Sequence, residues 1–210
     1  MRILLVRHGQ TDWNKARRVQ GRTDVPLNDT GRAQAEAAAQ CLKAFPLDAV
    51  YASPLTRAVD TAAAIAKACG LNAPETLDGL TEIRFGAWEG KVSVELEREF
   101  PKLWMDWNWV LHPEICASIG AESADEILAR ALGSLAHIAT RHGKDDCVAV
   151  VSHTMPIKLI ASRAIGLPLT NVRAIRLDNC GYTDLQLDDD FHGVLHAWNS
   201  TGHLRERGLL

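Results

Sequence analysis

No apolar run in these 210 residues approaches the roughly 18 needed to cross a bilayer. The first residues also lack the basic, apolar and small-residue succession of a secretory leader. A cytoplasmic protein with no membrane partner is the expectation. Excess charge is equally scarce: 23 Lys and Arg stand against 26 Asp and Glu, for a net charge of −3. That balance excludes a bulk attraction to nucleic acid or to anionic lipid, so any anion must be drawn in locally. The five cysteines are odd in number and scattered, with no C-x-x-C pair. They argue against a disulfide framework or a zinc site. Cys41, Cys69 and Cys147 fall among apolar positions and are expected as free thiols of the core in a reducing compartment. Repeats, linkers and low-complexity tails are missing too. What remains is an ordinary globular composition, 47% hydrophobic and 23% charged. The chain is long enough to bury a core without staples, and a single domain over 1–210 is expected.

The first feature that is present is Ile3 to Val6, an unbroken apolar run that stops at Arg7, His8 and Gly9. A continuous run reads as a strand buried on both faces of a parallel sheet. Such strands deliver their chemistry just past the carboxyl end. A long polar loop follows, from Gln10 to Thr30, and long loops in compact domains are usually functional. A helix is predicted over about 31–44, with Ala35, Ala38, Leu42 and Phe45 on one face. A second strand is predicted over Leu47 to Ala52. Ser53 and Pro54 then read as N-cap and first position of another helix, which Gly70 stops. Arg57 sits in its first turn, where a cation opposes the macrodipole; a residue that breaks a local rule there points to a task elsewhere.

The stretch 71–90 is irregular. Two short helices are predicted over about 93–99 and 101–110, the second with Trp104, Trp107 and Trp109. The whole segment from about 83 to 121 reads as a lid-like excursion. Ser123 and Glu126 form a capping box before a helix reaching about His142. Cys147 to Val151 is another continuous run, ending in Ser152, His153 and Thr154, with a helix from about Met155 to Ile165. Two or three strands with a turn at 188–193 complete the chain. Strands alternating with helices predict an α/β fold: a three-layer α/β/α sandwich with a mostly parallel central sheet and a small helical lid insertion.

Three strand ends could therefore meet at one sheet edge, bringing Arg7 and His8, Arg57, and His153 together, with Asn14 from the first loop. Two arginines, two imidazoles and an amide suit a phosphoryl group. Neighbouring arginines disfavour protonation of a histidine and leave a ring nitrogen free to attack. Glu82, between Leu80 and a glycine-punctuated segment, is the best candidate proton donor for the leaving group, since partial burial could hold it protonated. Glu89 lies nearby as a competitor. Trp104 to Trp109 could cover an organic moiety or simply fill the lid core. His192 and His196 have the spacing of helical metal ligands, but Gly193 and the strand-like context argue against a metal site.

These residues carry a resemblance. The matching motifs are Arg7-His8-Gly9, Thr11-Asp12-Trp13-Asn14, Arg18-Val19-Gln20-Gly21 and Asp24-Val25-Pro26-Leu27. Further on come Ser53-Pro54-Leu55-Thr56-Arg57-Ala58, Glu82 with Phe85-Gly86, Trp88-Glu89-Gly90, and Ser152-His153. In that order they resemble the histidine phosphatase superfamily, the phosphoglycerate mutase-like proteins. The resemblance implies that His8 is the phosphorylated nucleophile, that Arg7, Arg57 and His153 hold the phosphoryl group with Asn14 assisting, and that Glu82 moves the proton. It implies no metal and no cofactor. Arg18, Gln20 and Gly21 are assigned to the substrate, although Arg18, Arg22 and Arg84 would suit a solvated loop equally well. Two departures stand out. Thr154 replaces the usual glycine after the second histidine, keeping a backbone N–H for phosphate but adding bulk. Ala121-Glu122-Ser123 replaces Gly-Glu-Ser.

Three functions follow from the resemblance. The first is a phosphomonoester hydrolase acting on a small phosphorylated metabolite. The second is a cofactor-dependent phosphoglycerate mutase. The third is a phospho-ligand binding protein that has lost catalysis. Mutases resemble one another in Glu-Arg-His-Tyr-Gly at the acid, whereas this chain has Glu82-Ile83-Arg84-Phe85-Gly86, which favours the hydrolase. Candidate substrates by resemblance are sugar phosphates, glycosylated phosphoglycerates and the ribazole phosphate of cobalamin synthesis.

Overall fold

The run that opens the chain becomes β1 (Arg2–Arg7), and Ile3, Leu4, Leu5 and Val6 are all fully buried. The side chains alternate between two helical layers, as the pleat requires. Ile3 and Leu5 join Leu135, Ile138, Ile157 and Ile160 on one side. Leu4 and Val6 join Ala39, Leu42, Ala62 and Ile65 on the other. Each such side chain, taken from water, contributes about 1.5–3 kcal/mol, so the central strand is fixed from both faces.

The structure is a computed structural model that describes residues 1–101, 103 and 107–210. In chain order the elements are β1, α1 (Asp12–Lys15), α2 (Asp29–Leu42), β2 (Leu47–Ala52), α3 (Thr56–Cys69), β3 (Glu75–Thr76), α4 (Ser93–Glu99) and α5 (Pro113–Ile119). They continue with α6 (Ala124–Ala139), β4 (Cys147–Ser152), α7 (Thr154–Ala164), β5 (Tyr182–Leu187), β6 (Gly193–Ser200) and α8 (Gly202–Arg205). The sheet runs β3-β2-β4-β1-β5-β6, and only β5 opposes the common direction. The predicted three-layer α/β/α architecture with a mostly parallel sheet is what forms. No helix among the described residues is long and apolar enough to cross a membrane.

Several boundaries differ from expectation for physical reasons. Helix α2 starts at Asp29 because Asn28 is its cap, its side chain accepting the Gly31 N–H at 2.8 Å. Helix α3 starts at Thr56, not at Pro54, and Ser53 does not cap it. Asp24, from the loop, accepts the Thr56 N–H at 2.9 Å and its hydroxyl at 2.6 Å instead. The capping box of Ser123 and Glu126 forms as predicted. Cys41 and Cys69 are only half-buried, while Cys116, Cys147 and Cys180 are buried; all five are free.

Residues of the 83–121 segment pack in their own apolar cluster with α6 and α7, through Ile83, Phe85, Trp88, Leu96, Trp109 and Val110. Trp109 is core: its ring meets Trp88 edge-on at 5.1 Å, and it is 2% exposed. The predicted helix over about 101–110, and the open question of whether Trp104 covers substrate or fills the lid core, fall on a stretch that includes residues outside the described ones.

Candidate active site

Parallel pairing dictates where the strand ends meet. In the register of β1 with β4, Arg7 stands opposite Ser152, so His8 and His153 leave the sheet side by side. Their ring centroids are 5.0 Å apart. Strand β2 ends beside them and delivers Ser53, whose hydroxyl bonds His153 Nε2 at 2.8 Å. The serine expected as a helix cap is therefore committed to the second histidine.

His8 is 3% exposed. Its Nδ1 lies 2.7 Å from the Gly9 carbonyl oxygen. A carbonyl only accepts, so Nδ1 carries the hydrogen and Nε2 keeps its lone pair. Gly9 itself is held by its N–H to Thr61 Oγ1 at 3.1 Å. The turn admits no side chain, for a Cβ on Gly9 would stand 2.4 Å from the carbonyl oxygen of Gly31. Burial holds the His8 imidazolium well below the ordinary histidine range, and Arg57 and Arg7 push it further down. His153 is lowered by burial, then by Arg57, His8 and Arg7.

Arg57 is fully buried, and the loop after His8 explains how a guanidinium is tolerated in the first turn of α3. Its Nη1 donates to the Thr23 carbonyl at 2.9 Å and its Nη2 to the Gly21 carbonyl at 2.8 Å. Arg7 donates to the Leu177 carbonyl at 2.7 Å. Among the described residues, three buried nitrogens here find no partner: Arg7 Nε, Arg57 Nε and His153 Nδ1. A buried polar atom without a partner demands an explanation, and donors on two cations beside a neutral histidine are accounted for by an anion.

An open cleft of about 350 Å³ lies above these groups. Every predicted site residue lines it except His153: Arg7, His8, Asn14, Arg18, Gln20, Gly21, Arg57, Glu82 and Thr154. His153 stands behind His8, fully buried. Asn14 is oriented through its Oδ1, which accepts from the Thr11 N–H at 3.1 Å and from Asn179 Nδ2 at 3.3 Å. Arg18 donates to the Gly90 carbonyl and lies over the Trp13 ring at 5.5 Å. Arg22 is tied to Glu122 at 2.7 Å, and neither it nor Arg84 lines the cleft.

The two candidate carboxylates separate cleanly. Glu89 accepts the N–H groups of Arg22, Thr23 and Phe85 and the Thr23 hydroxyl, so it organises the loop. Glu82, 8% exposed, faces the cleft. Its Oε1 accepts from the Ile83 N–H at 3.0 Å and the Met155 N–H at 3.1 Å. Among the described residues, its Oε2 accepts only the Thr154 N–H, at 3.1 Å. A carboxylate oxygen has about two lone-pair sites. Oε1 is filled and Oε2 retains one, so Oε2 is the oxygen able to exchange a proton. The Thr154 N–H expected on phosphate is thus engaged by Glu82 in this structure.

Sequence reasoning missed the support of Glu82. Arg130 donates to its carbonyl at 3.0 Å and to the carbonyls of Gly79 and Thr81 at 2.8 and 2.6 Å. Glu122 holds Arg130 in turn, at 3.0 and 3.1 Å. The Ser152 hydroxyl ties Leu80 to β4 at 2.6 Å. Among the described residues no group of three or more His, Cys, Asp or Glu is placed to hold a metal ion.

The lowered histidines give a direct prediction. The neutral form of His8, which keeps a free lone pair on Nε2, is lost only as pH falls through its own depressed pKa. At pH 6, where a free imidazole is largely protonated, both His8 and His153 are expected to stay neutral. Nitrogen-15 NMR of the ring nitrogens measures this; titration at or above pH 6.5 would refute the burial argument. The same groups should destabilise the fold as pH drops below about 6.5, because the unfolded chain then binds protons that the folded site refuses.

A family model described as the histidine phosphatase superfamily (branch 1) matches residues 3–201. A phosphoserine phosphatase 1 of Hydrogenobacter thermophilus is 32% identical over 206 residues, covering 98% of this chain and 95% of its own. A solved mycobacterial glucosyl-3-phosphoglycerate phosphatase, complexed with VO3, superposes with a TM-score of 0.84 at 29% identity over 95% of this chain and 99% of that one. A mutant phosphoserine phosphatase of Entamoeba histolytica in complex with phosphoserine gives 0.80 at 29% identity, over 97% and 98%.

Proposed function

The chain belongs to the histidine phosphatase superfamily, and from that membership we propose that it hydrolyses a small phosphomonoester through a phosphohistidine on His8. One observation carries the reading. His8 Nδ1 is locked onto the Gly9 carbonyl, which leaves Nε2 as a free nucleophile among the unpartnered donors of Arg7 and Arg57.

In the first half-reaction Nε2 attacks phosphorus, the bond from phosphorus to the ester oxygen breaks, and Glu82 gives that oxygen a proton. The phosphorylated ring is cationic, with its Nδ1–H still on Gly9. Arg7 and Arg57 offset the charge on the phosphoryl oxygens in the transition state. In the second half-reaction water attacks phosphorus, Glu82 takes a proton from that water, and the bond from Nε2 to phosphorus breaks. Inorganic phosphate leaves, and His8 and Glu82 return to their starting states. His153 backs the nucleophile, and Asn14 lies at the cleft beside it. Relatives named for phosphoserine and for glucosyl-3-phosphoglycerate support a small phosphorylated metabolite as substrate. The free cysteines suit a reducing, cytoplasmic setting.

The test is incubation with p-nitrophenyl phosphate, followed by trapping of the enzyme. Steady phosphate release and an acid-labile, alkali-stable phosphoenzyme are expected. Tight phosphate binding without turnover would mark a binding protein. Conversion of 3-phosphoglycerate in the presence of 2,3-bisphosphoglycerate without phosphate release would mark a mutase.

A further inference from the structure

The ion pair of Arg130, on α6, with the buried Glu122 does not line the cleft, yet its hydrogen bonds close on the residues around Glu82. A guanidinium has five N–H donors in a planar fork. In Arg130, Nε meets one Glu122 oxygen and Nη2 the other. Nη1 takes the carbonyls of Gly79 and Thr81, and Nη2 also takes that of Glu82. Glu122 is engaged beyond Arg130. Its Oε2 accepts the Arg84 N–H at 2.8 Å, and its own N–H donates to the Arg84 carbonyl at 2.9 Å. The pair therefore grips the backbone on both sides of Glu82. Glu122 Oε1 also accepts from Arg22 Nη2 at 2.7 Å. Arg22 lies between Gly21 and Thr23, whose carbonyls hold Arg57. One carboxylate thus fixes the loop that carries the anion cradle and the segment that carries the acid to a common point.

We propose that Arg130, held by Glu122, is a positioning residue for proton transfer: it sets the distance from Glu82 to the phosphoryl site and acts on the acid step, not on phosphate binding. The inference rests on the hydrolase reading, in which Glu82 protonates the leaving oxygen. Glu82 Oε1 is pinned by the N–H of its own neighbour Ile83 and by Met155, so a shift of the backbone at residue 82 carries Oε2 with it. Proton transfer needs the heavy atoms within about 2.6–3.2 Å. A displacement of about 1 Å can cost about 10²-fold in rate. Arg7 and Arg57 hang on other carbonyls, those of Leu177, Thr23 and Gly21. Phosphate binding therefore does not depend on where Arg130 stands, and an ester whose leaving group needs no proton does not either.

Arg130→Lys is the test, because an ammonium keeps the charge and loses the fork that reaches both Glu122 and three carbonyls. Its kcat/KM for alkyl phosphates should fall by about 10–10²-fold, and for p-nitrophenyl phosphate by less than about threefold. Calorimetry should find its affinity for inorganic phosphate within about twofold of the parent's, since the cradle is untouched. In a Glu82→Gln background the same substitution should slow alkyl phosphates by less than about twofold more, because the acid it positions is gone. Equal slowing of the two esters, a parent-like rate on alkyl phosphates, or a full second loss in the Glu82→Gln background would overturn the proposal. If Arg130→Lys does not fold, Glu122→Gln, which is isosteric and leaves Arg130 in place, is read by the same outcomes. Glu82→Gln alone tests the acid reading by itself. If it does not separate the esters, amide exchange decides the positioning. The Thr154 and Met155 N–H groups, which bond Glu82, should then exchange at least about tenfold faster in Arg130→Lys, and unaltered exchange would overturn it.

Discussion

Replacing His8 by alanine is expected to lower turnover of any phosphomonoester by at least about 10⁴-fold and to remove the phosphoenzyme completely. Loss of a nucleophile costs on this scale, because the remaining groups act as a unit with it. The nearest imidazole and the nearest carboxylate are not placed to take over. His153 is the nearest imidazole, but its Nε2 is committed to Ser53, and the ring does not line the cleft. Glu82 has its oxygens on three backbone N–H groups. The anion cradle is built separately, by the Thr23 and Gly21 carbonyls holding Arg57 and the Leu177 carbonyl holding Arg7. The variant should therefore still bind inorganic phosphate, which calorimetry can measure beside the lost activity. Activity above about a hundredth of the parent, or phosphate trapped on another residue in peptide mapping, would reject His8 as the nucleophile.

The parts of this site that the sequence displays are those that a strand end displays. Ile3 to Val6 is apolar on both faces because both faces are covered, so the point where the run stops marks the sheet edge. The same holds for Cys147 to Val151 before His153. Once both strands are parallel, register does the rest, and the two histidines must stand together. Local pattern misled where a residue answers to a distant partner. Ser53 has the look of a cap, yet its hydroxyl serves His153, and the cap comes from Asp24 in a loop no local rule connects to α3. Arg130 sits beside Ala131 on the buried side of α6, in a position that periodicity reserves for an apolar residue. Its charge is intelligible only when Glu122 and the carbonyls of residues 79, 81 and 82 are folded around it. Glu82 was legible as a carboxylate near the site, but not the α7 amino-terminus that occupies it.

That occupancy shapes the second expected result. Glu82→Gln should slow alkyl phosphates by about 10²–10⁴-fold, the range for loss of a general acid, and p-nitrophenyl phosphate by less than about tenfold. An alkoxide needs a proton as its bond to phosphorus breaks, whereas p-nitrophenolate leaves without one. The amide also disturbs the local hydrogen bonds, and the geometry says how. Its single oxygen satisfies the two N–H groups of Ile83 and Met155 best where Oε1 now stands. The NH2 then falls in the place of Oε2, against the Thr154 N–H, with two donors facing each other. A purely structural injury of this kind would lower both esters together, because both need the same cradle. Loss of the proton alone would separate them according to the pKa of the leaving alcohol. A steeper dependence of rate on that pKa in Glu82→Gln than in the parent is therefore the signature to measure. Equal slowing of the two esters would remove Glu82 from the acid role and leave it as a strut for the start of α7.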